Sequence, residues 1–178
     1  MESFEEKVKK DLHQYLVKMG GVDEKLPECP DVEELWRDVE KAYLPDAVRE
    51  FTDYPTVSLG WIMFVGMALA KYWDVDWEKY GKESGEKLYT DLRDAKGYDN
   101  MDDYILYDVL QLDKEEGEKV SEIVGECAAR VLSAIHRSEI EPGTEEAVAA
   151  YRGALHALYI MGMAMELNAL GYHMQLMG

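Results

Sequence analysis

A long apolar run in the last quarter of the sequence restricts the possible folds more than any other stretch. Between positions 153 and 172, the only residues that are neither apolar nor glycine are His156, Glu166 and Asn168. Thr144 is a good N-cap, and two glutamates follow it where the helix dipole favours negative charge. One long helix is therefore predicted over about 144–174. Because most of its surface is apolar, other helices must surround it, which predicts an all-helical fold.

Counting along this helix in steps of seven separates its faces, because seven residues advance only about 20° around a helix. A polar line contains Glu145, Arg152, Tyr159, Glu166 and His173. A line of small residues lies nearly opposite and contains Ala150, Ala157, Ala164 and Gly171. The two faces therefore have different predicted roles.

The polar line predicts a first candidate site. His156 lies about 40° from it, so the candidate ligand-binding residues are Arg152, His156, Tyr159, Glu166 and His173. They could line a pocket for a ligand or a proton, or they could form the solvent-exposed edge of a mostly buried helix. Glu166 and His173 are about 10 Å apart along the axis, which is too far for one metal ion. The sequence predicts no metal site and no cofactor.

The line of small residues predicts a close approach by another helix. Small side chains at a helix–helix contact reduce the distance between the two axes. The favoured partner is the apolar helix that contains Gly60 and Gly66, and the alternative is the same face of a second copy of the chain.

Amphipathic patterns predict the remaining helices. The N-cap residues Ser3, Asp31 and Asp113 precede helices over about 4–19, 31–44 and 114–137. Pro45 is expected to end or kink the second of these, and a further apolar helix is predicted over about 55–73. No segment alternates as a strand would. The prediction is one all-α domain over 1–178, a bundle of about six or seven helices with the two apolar helices, about 55–73 and 144–174, at its centre.

The apolar helix over 55–73 is long enough to be compared with a membrane span, and only Lys71 is charged within it. Two glycines and a serine dilute it, and acidic residues flank it. In the other apolar helix, Glu166 would cost at least about 2.5 kcal/mol at a bilayer centre. Both helices are therefore predicted to be core helices rather than membrane spans.

A weak internal repeat links the two apolar helices. The segment VGMAL at 65–69 matches MGMAM at 161–165, at an offset of 96 residues. Duplication of a helical hairpin, about 31–73 and 114–174, would explain the match. Convergence would explain it as well, because Gly, Ala and Met are common where helices pack closely.

The balance of charges restricts the partners. The chain has 19 Lys and Arg against 37 Asp and Glu, which gives a formal net charge of −18. Such a surface repels phosphate backbones and anionic lipid headgroups, so neither nucleic acid nor a membrane is predicted as a partner. A basic protein partner is compatible with the charge, and so is high solubility alone.

Two features favour a cytoplasmic location. The N-terminal segment has no basic region followed by an apolar one, so no signal peptide is predicted. Cys29 and Cys127 are too few for a disulfide framework, which is typical of a reducing compartment.

The segment 74–113 predicts a second candidate site, because it combines twelve acidic residues, five basic residues and several aromatic ones. Tyrosine and tryptophan are enriched at binding surfaces. The candidate partner-binding residues are Trp77, Tyr80, Asp99, Asp102, Asp103, Tyr104 and Tyr107. The alternative is a solvated flank whose aromatic residues cover the core.

Three hypotheses for function follow. The sequence has no GxGxxG, GxxxxGK, GxSxG, CxxC or HExxH motif, which favours a protein without catalytic activity. The leading hypothesis is an acidic protein that acts by protein–protein interaction, as a regulator or inhibitor of a basic partner. The second is a small-molecule-binding protein or enzyme that uses the polar line of the 144–174 helix. The third is a structural homo-oligomer.

Overall fold

Two long apolar helices pack against each other at the centre of the computed structural model, which describes residues 2–172. α4 (Pro55–Tyr80) is buried almost continuously over 58–70, and α8 (Glu145–Ala169) over 153–167. At their crossing Gly66 faces the backbone of Tyr159 and Met163, and Gly162 faces the backbone of Met63. A Cβ atom on either glycine would overlap with these backbone atoms, so glycine is needed at both positions for this approach.

Amphipathic helices and two irregular segments surround this pair. The elements in chain order are α1 (Phe4–Lys18), α2 (Pro30–Glu33), α3 (Trp36–Asp53), α4, α5 (Gly85–Lys96), a 3₁₀ turn (Tyr98–Asn100), α6 (Met101–Asp103), a π-helix (Tyr104–Val109), α7 (Lys114–Arg137) and α8. α3 and α7 pack against α4, and α1 packs against α8. α5 packs against α3 and carries the chain toward the two irregular segments.

The predicted all-α class is confirmed, since residues 2–172 form eight α-helices and no strand. The number is close to the predicted six or seven because α2 and α6 are single turns. The apolar helices predicted at the centre lie there, but their bounds differ. α4 continues beyond position 73 to Tyr80, and α8 ends at Ala169 rather than at 174. Gly171, with a φ of +97°, lies just beyond the end of α8.

Side-chain caps explain several helix starts. Ser3, Asp113 and Thr144 each accept a hydrogen bond from the backbone N–H three residues further on, as predicted. Asp31 does not have this role, because it lies inside α2, which begins at Pro30, and the long helix α3 begins only at Trp36.

Of the two outcomes predicted for Pro45, an end or a kink, the end is wrong, since α3 continues to Asp53. Proline removes the N–H that would bond to the carbonyl of Lys41. Both residues are exposed, so water can reach that carbonyl.

The three alanines of the line of small residues are buried in α8, and Gly171 is exposed beyond its end, but this line is not where α4 crosses. Ala157 and Ala164 are almost completely buried. Gly162, which meets α4, lies about 150° around the helix from this line at 100° per residue. α1 instead approaches near the line, where the Glu5 side chain lies against Gly153. The predicted close approach of α4 and α8 therefore exists on a different face, and the duplicated hairpin stays a prediction.

In the part of the chain that the structure describes, no helix combines the length and the apolar character that a membrane crossing requires.

A tyrosine-lined groove as candidate functional site

A groove lies between the C-terminal part of α4 and the π-helix, and its volume is about 360 Å³. It is lined by Lys71, Tyr72, Val75, Tyr80, Tyr104, Asp108, Val109 and Gln111. We call it the tyrosine groove. Its walls come from two places where the backbone departs from regular α-helix.

The first wall is made by a break in α4. Asp76 has non-helical dihedral angles (φ −163°, ψ 78°), and its carboxylate accepts a hydrogen bond from the backbone N–H of Lys79 at 3.2 Å. In a straight helix, Tyr72 and Tyr80 would be about 12 Å apart along the axis. Here their rings are stacked, with centroids 4.1 Å apart and planes at 12°. The break at Asp76 thus turns the chain so that the two rings stack.

The second wall is the π-helix. The Leu110 N–H donates to the Ile105 carbonyl at 2.8 Å, five residues back rather than four. Gln111 follows with a φ of +58°, which is uncommon for a residue other than glycine. π-helical turns are rare and are frequent at functional sites. Both features lie on the groove, since Tyr104, Asp108 and Gln111 line it.

The groove combines aromatic rings with ionic groups. Burial, together with the neighbouring hydroxyls of Tyr104 and Tyr80, raises the pKa of the Tyr72 hydroxyl, which therefore stays protonated at neutral pH. The Asp108 carboxylate pairs with Lys96 at 2.8 Å, and both side chains are about half exposed. The Lys79 ammonium lies 5.1 Å from the centroid of the Tyr80 ring. The outer face of the stack therefore already contacts a cation.

The structure brings only part of the predicted partner-binding set together. Tyr80 and Tyr104 line the groove, whereas Tyr107 packs on Gly117 of α7. Trp77 is partly buried and lies against Gly81.

The three predicted aspartates lie outside the groove lining. Asp99 lines a separate cleft beside α3. Asp103 is exposed, and Asp102 is half-buried, where desolvation raises the pKa of its carboxyl.

Sequence reasoning missed six of the groove residues: Lys71, Tyr72, Val75, Asp108, Val109 and Gln111. The sequence does contain a signal for the break. The apolar pattern ends near position 73, and Asp76, a good cap residue, follows it three positions before Lys79. The π-helix has no comparable signature in its residues.

Three of the candidate residues on α8, Arg152, His156 and Tyr159, lie where α8 packs against α1, α2 and α3. Arg152 donates to the Glu40 carboxylate at 2.5 Å. His156 lies 3.0 Å from a Glu5 carboxylate oxygen and stacks on Trp36, with ring centroids 5.2 Å apart. These side chains are thus engaged with neighbouring helices.

Tyr159 and Glu166 are the buried members of this set. Tyr159 is fully buried, and its hydroxyl donates to the Val32 carbonyl at 2.7 Å. Glu166 is 8% exposed, and its neighbours on α4 include Lys71 and Asp74. Desolvation raises the pKa of the Glu166 carboxyl to about 7; Lys71 opposes this rise and Asp74 adds to it. His173 lies outside the described residues.

Within positions 2–172, no group of three or more His, Cys, Asp or Glu side chains is arranged to hold a metal ion. The chain matches no known family model, no curated protein and no solved structure. A function is therefore inferred from the residues of the tyrosine groove and from the charge around it.

Proposed function

We propose that this protein acts without catalysis, by holding a basic segment of a protein partner in the tyrosine groove, as a regulator or inhibitor of that partner. One observation carries the proposal: three tyrosines and a carboxylate line a groove of about 360 Å³ within the most acidic aromatic part of the chain, and the one lysine of the lining, Lys71, neighbours the Glu166 carboxylate.

The chemistry of the groove suits lysine and arginine side chains. Cations are attracted to the faces of aromatic rings, and tyrosine provides a large contact area at a low cost in conformational entropy. The contact between Lys79 and Tyr80 shows such a pair within the chain itself. Asp108 provides a carboxylate beside the rings, and a partner's cation can replace Lys96 on it.

The net charge of −18 supports the same class of partner. A strongly acidic surface attracts basic proteins over a distance of about 10 Å at moderate salt, and this attraction raises the association rate more than it raises the affinity. The groove would then provide the short-range contacts that hold the partner.

The α8 residues give less support to a small-molecule site or an enzyme. Within the described chain, Arg152, His156 and Tyr159 already bond to Glu40, Glu5 and Val32. Tyr159 is fully buried, so a ligand could reach it only by opening the packing of α8, whereas the half-exposed pair of Lys96 and Asp108 can exchange in water.

The proposal is tested with a short fluorescein-labelled peptide of lysine, arginine and leucine, whose binding is followed by fluorescence anisotropy. We expect Tyr80→Ala and Tyr104→Ala each to weaken binding by about tenfold, as is usual for aromatic residues that dominate an interface. Tyr54→Ala is the matched control, because Tyr54 is 61% exposed and lies outside the groove. A peptide with glutamate in place of lysine and arginine should not bind.

Stopped-flow measurements distinguish long-range electrostatic attraction of the partner from the short-range contacts in the groove. Association should slow as salt rises, and charge reversal at Asp99, Asp102 and Asp103 should also slow it. Circular dichroism verifies that each variant is folded. Binding that is independent of salt, or that survives both groove substitutions unchanged, contradicts the proposal.

A further inference from the structure

A second concave site lies between α3 and the turn at 97–100, away from the residues that line the tyrosine groove. Its volume is about 320 Å³. Apart from the backbone of Gly97, it is lined by Asp46, Arg49, Glu50, Tyr98, Asp99 and Asn100. We call it the α3 cleft.

Hydrogen bonds from the core fix one wall of this cleft. The Trp61 indole N–H donates to the Tyr98 carbonyl at 2.8 Å. The Tyr98 hydroxyl lies 3.4 Å from the hydroxyl of Tyr43, which is fully buried and donates to the Ser58 carbonyl at 2.6 Å. Gly97 permits the turn through its φ of +86°. The wall that carries Tyr98, Asp99 and Asn100 is therefore held in place.

The charged groups of the cleft fall into two sets. Asp46 is used internally, because its carboxylate accepts from the Tyr89 hydroxyl at 2.8 Å and from Arg93 at 3.2 Å. Arg49, Glu50 and Asp99 make no side-chain hydrogen bond or ion pair with any residue in the described range 2–172. One guanidinium and two carboxylates without partners thus line the same cleft.

We propose that the α3 cleft binds a small zwitterion of the amino-acid class. The Arg49 guanidinium binds the ligand carboxylate, for which its fork of N–H donors is well suited. Glu50 and Asp99 bind the ammonium group, and Asn100, whose side-chain nitrogen donates to the Lys96 carbonyl at 3.1 Å, leaves its side-chain oxygen as a further acceptor. The proposal concerns a separate site and does not depend on the function proposed for the tyrosine groove.

The combination of charges selects this class over simpler ions. A phosphate or another dianion would be repelled by Glu50 and Asp99, and a polyamine has no carboxylate with which to pair the Arg49 guanidinium. The volume is at the lower end of the range of about 300–1,000 Å³ that is typical of ligand pockets, which favours a small molecule.

The test is a titration of ¹⁵N-labelled protein followed by NMR. The probes are glycine, β-alanine, γ-aminobutyrate and lysine, and the single-charge comparisons are butylamine and butyrate. We expect at least one zwitterion to shift the amide signals of residues 97–100 and the Trp61 indole signal in a saturable way at millimolar concentrations. The single-charge compounds should bind at least about tenfold more weakly.

Substitutions within α3 and the turn provide matched variants. Arg49→Gln and Asp99→Asn should each weaken binding by about tenfold or more. Arg37→Gln and Asp53→Asn, at exposed positions of α3 outside the cleft lining, should leave it unchanged. The amide spectrum shows whether each variant is folded. The proposal is overturned if no zwitterion gives saturable shifts, if butylamine or butyrate binds as well, or if the cleft and control variants behave alike.

Discussion

Glu166 places a carboxyl group in the buried surface between α8 and α4. Desolvation raises its pKa from the ordinary value of 4.5 to about 7, so the folded protein holds this proton at pH values where the unfolded chain has lost it. For a raised carboxyl pKa, stability is greatest below the unfolded pKa and falls as pH rises toward the folded pKa. Glu166 therefore lowers stability progressively between pH 4.5 and about 7.

Glu166→Gln is expected to remove this pH dependence. The amide cannot ionise, so the variant should be more stable than the parent chain at pH 8, by on the order of 2 kcal/mol, and similar to it at pH 4.5. Urea unfolding at the two pH values measures the difference. Glu118→Gln, at an exposed position of α7, is the control and should change stability by the same small amount at both. An equal effect of Glu166→Gln at both pH values would contradict the assignment of the raised pKa.

At the residue scale, the sequence predicted which side chains share a face but not what covers that face. Arg152, Tyr159 and Glu166 do lie along one side of α8, because helical periodicity alone determines this. Their partners Glu40, Val32 and Lys71 come from positions distant in the chain. Periodicity has no information about tertiary neighbours, so pocket, solvent and packing interface could not be distinguished.

At the scale of elements, the crossing of α4 and α8 depends on two glycines that face backbone rather than side chains. A side chain can rotate away from an added methyl group, but a helix backbone can only move with its whole helix. Gly66 and Gly162 therefore set the distance between the two central helices.

Gly66→Ala and Gly162→Ala are each expected to lower the free energy of unfolding by about 3 kcal/mol or more, since overpacking here cannot be relieved locally. Gly125→Ala is the matched control within a helix, because a Cβ at Gly125 of α7 has no atom within 4 Å. That variant should gain up to about 1 kcal/mol from helix propensity. Chemical unfolding of the three variants measures these free-energy changes. A Gly66→Ala protein as stable as Gly125→Ala would refute the close crossing.

The elements themselves were mostly predictable, and the groove was not. Apolar periodicity and the caps at Ser3, Asp113 and Thr144 located the long helices, because both signals are local. The tyrosine groove instead depends on the break at Asp76 and on the π-helix, and only the break has a local signal in the sequence. The α3 cleft likewise joins residues about 50 positions apart, which a pattern in the sequence does not reveal.

At the scale of the whole molecule, the charge of −18 acts against folding as well as attracting partners. The folded chain brings its carboxylates closer together than the unfolded chain does, so their repulsion lowers stability. Few of these carboxylates gain much stabilisation from an ion pair, because most of the ion pairs are exposed. Lys87 with Asp91 and Lys119 with Glu115 are examples.

Added salt is therefore expected to stabilise the protein at pH 7. Raising sodium chloride from about 0.01 M to about 0.5 M shortens the screening length from about 30 Å to a few ångströms, and the melting temperature should rise by a few degrees. Calorimetry at several salt concentrations measures this. The same series at pH 4.5, the isoelectric point of the sequence, should show little change. A melting temperature that falls with salt at pH 7 would show that attraction between charges outweighs repulsion.

The glycine crossing also has a consequence for how the chain is made. Gly66 and Gly162 are separated by 96 residues, so a ribosome adding about 5–20 residues per second needs about 5–20 s to reach the second glycine after the first. During that time the most apolar face of α4 has been synthesised and its partner has not. A nascent chain stalled between the two positions therefore exposes an apolar surface that favours aggregation, and the finished molecule buries that surface.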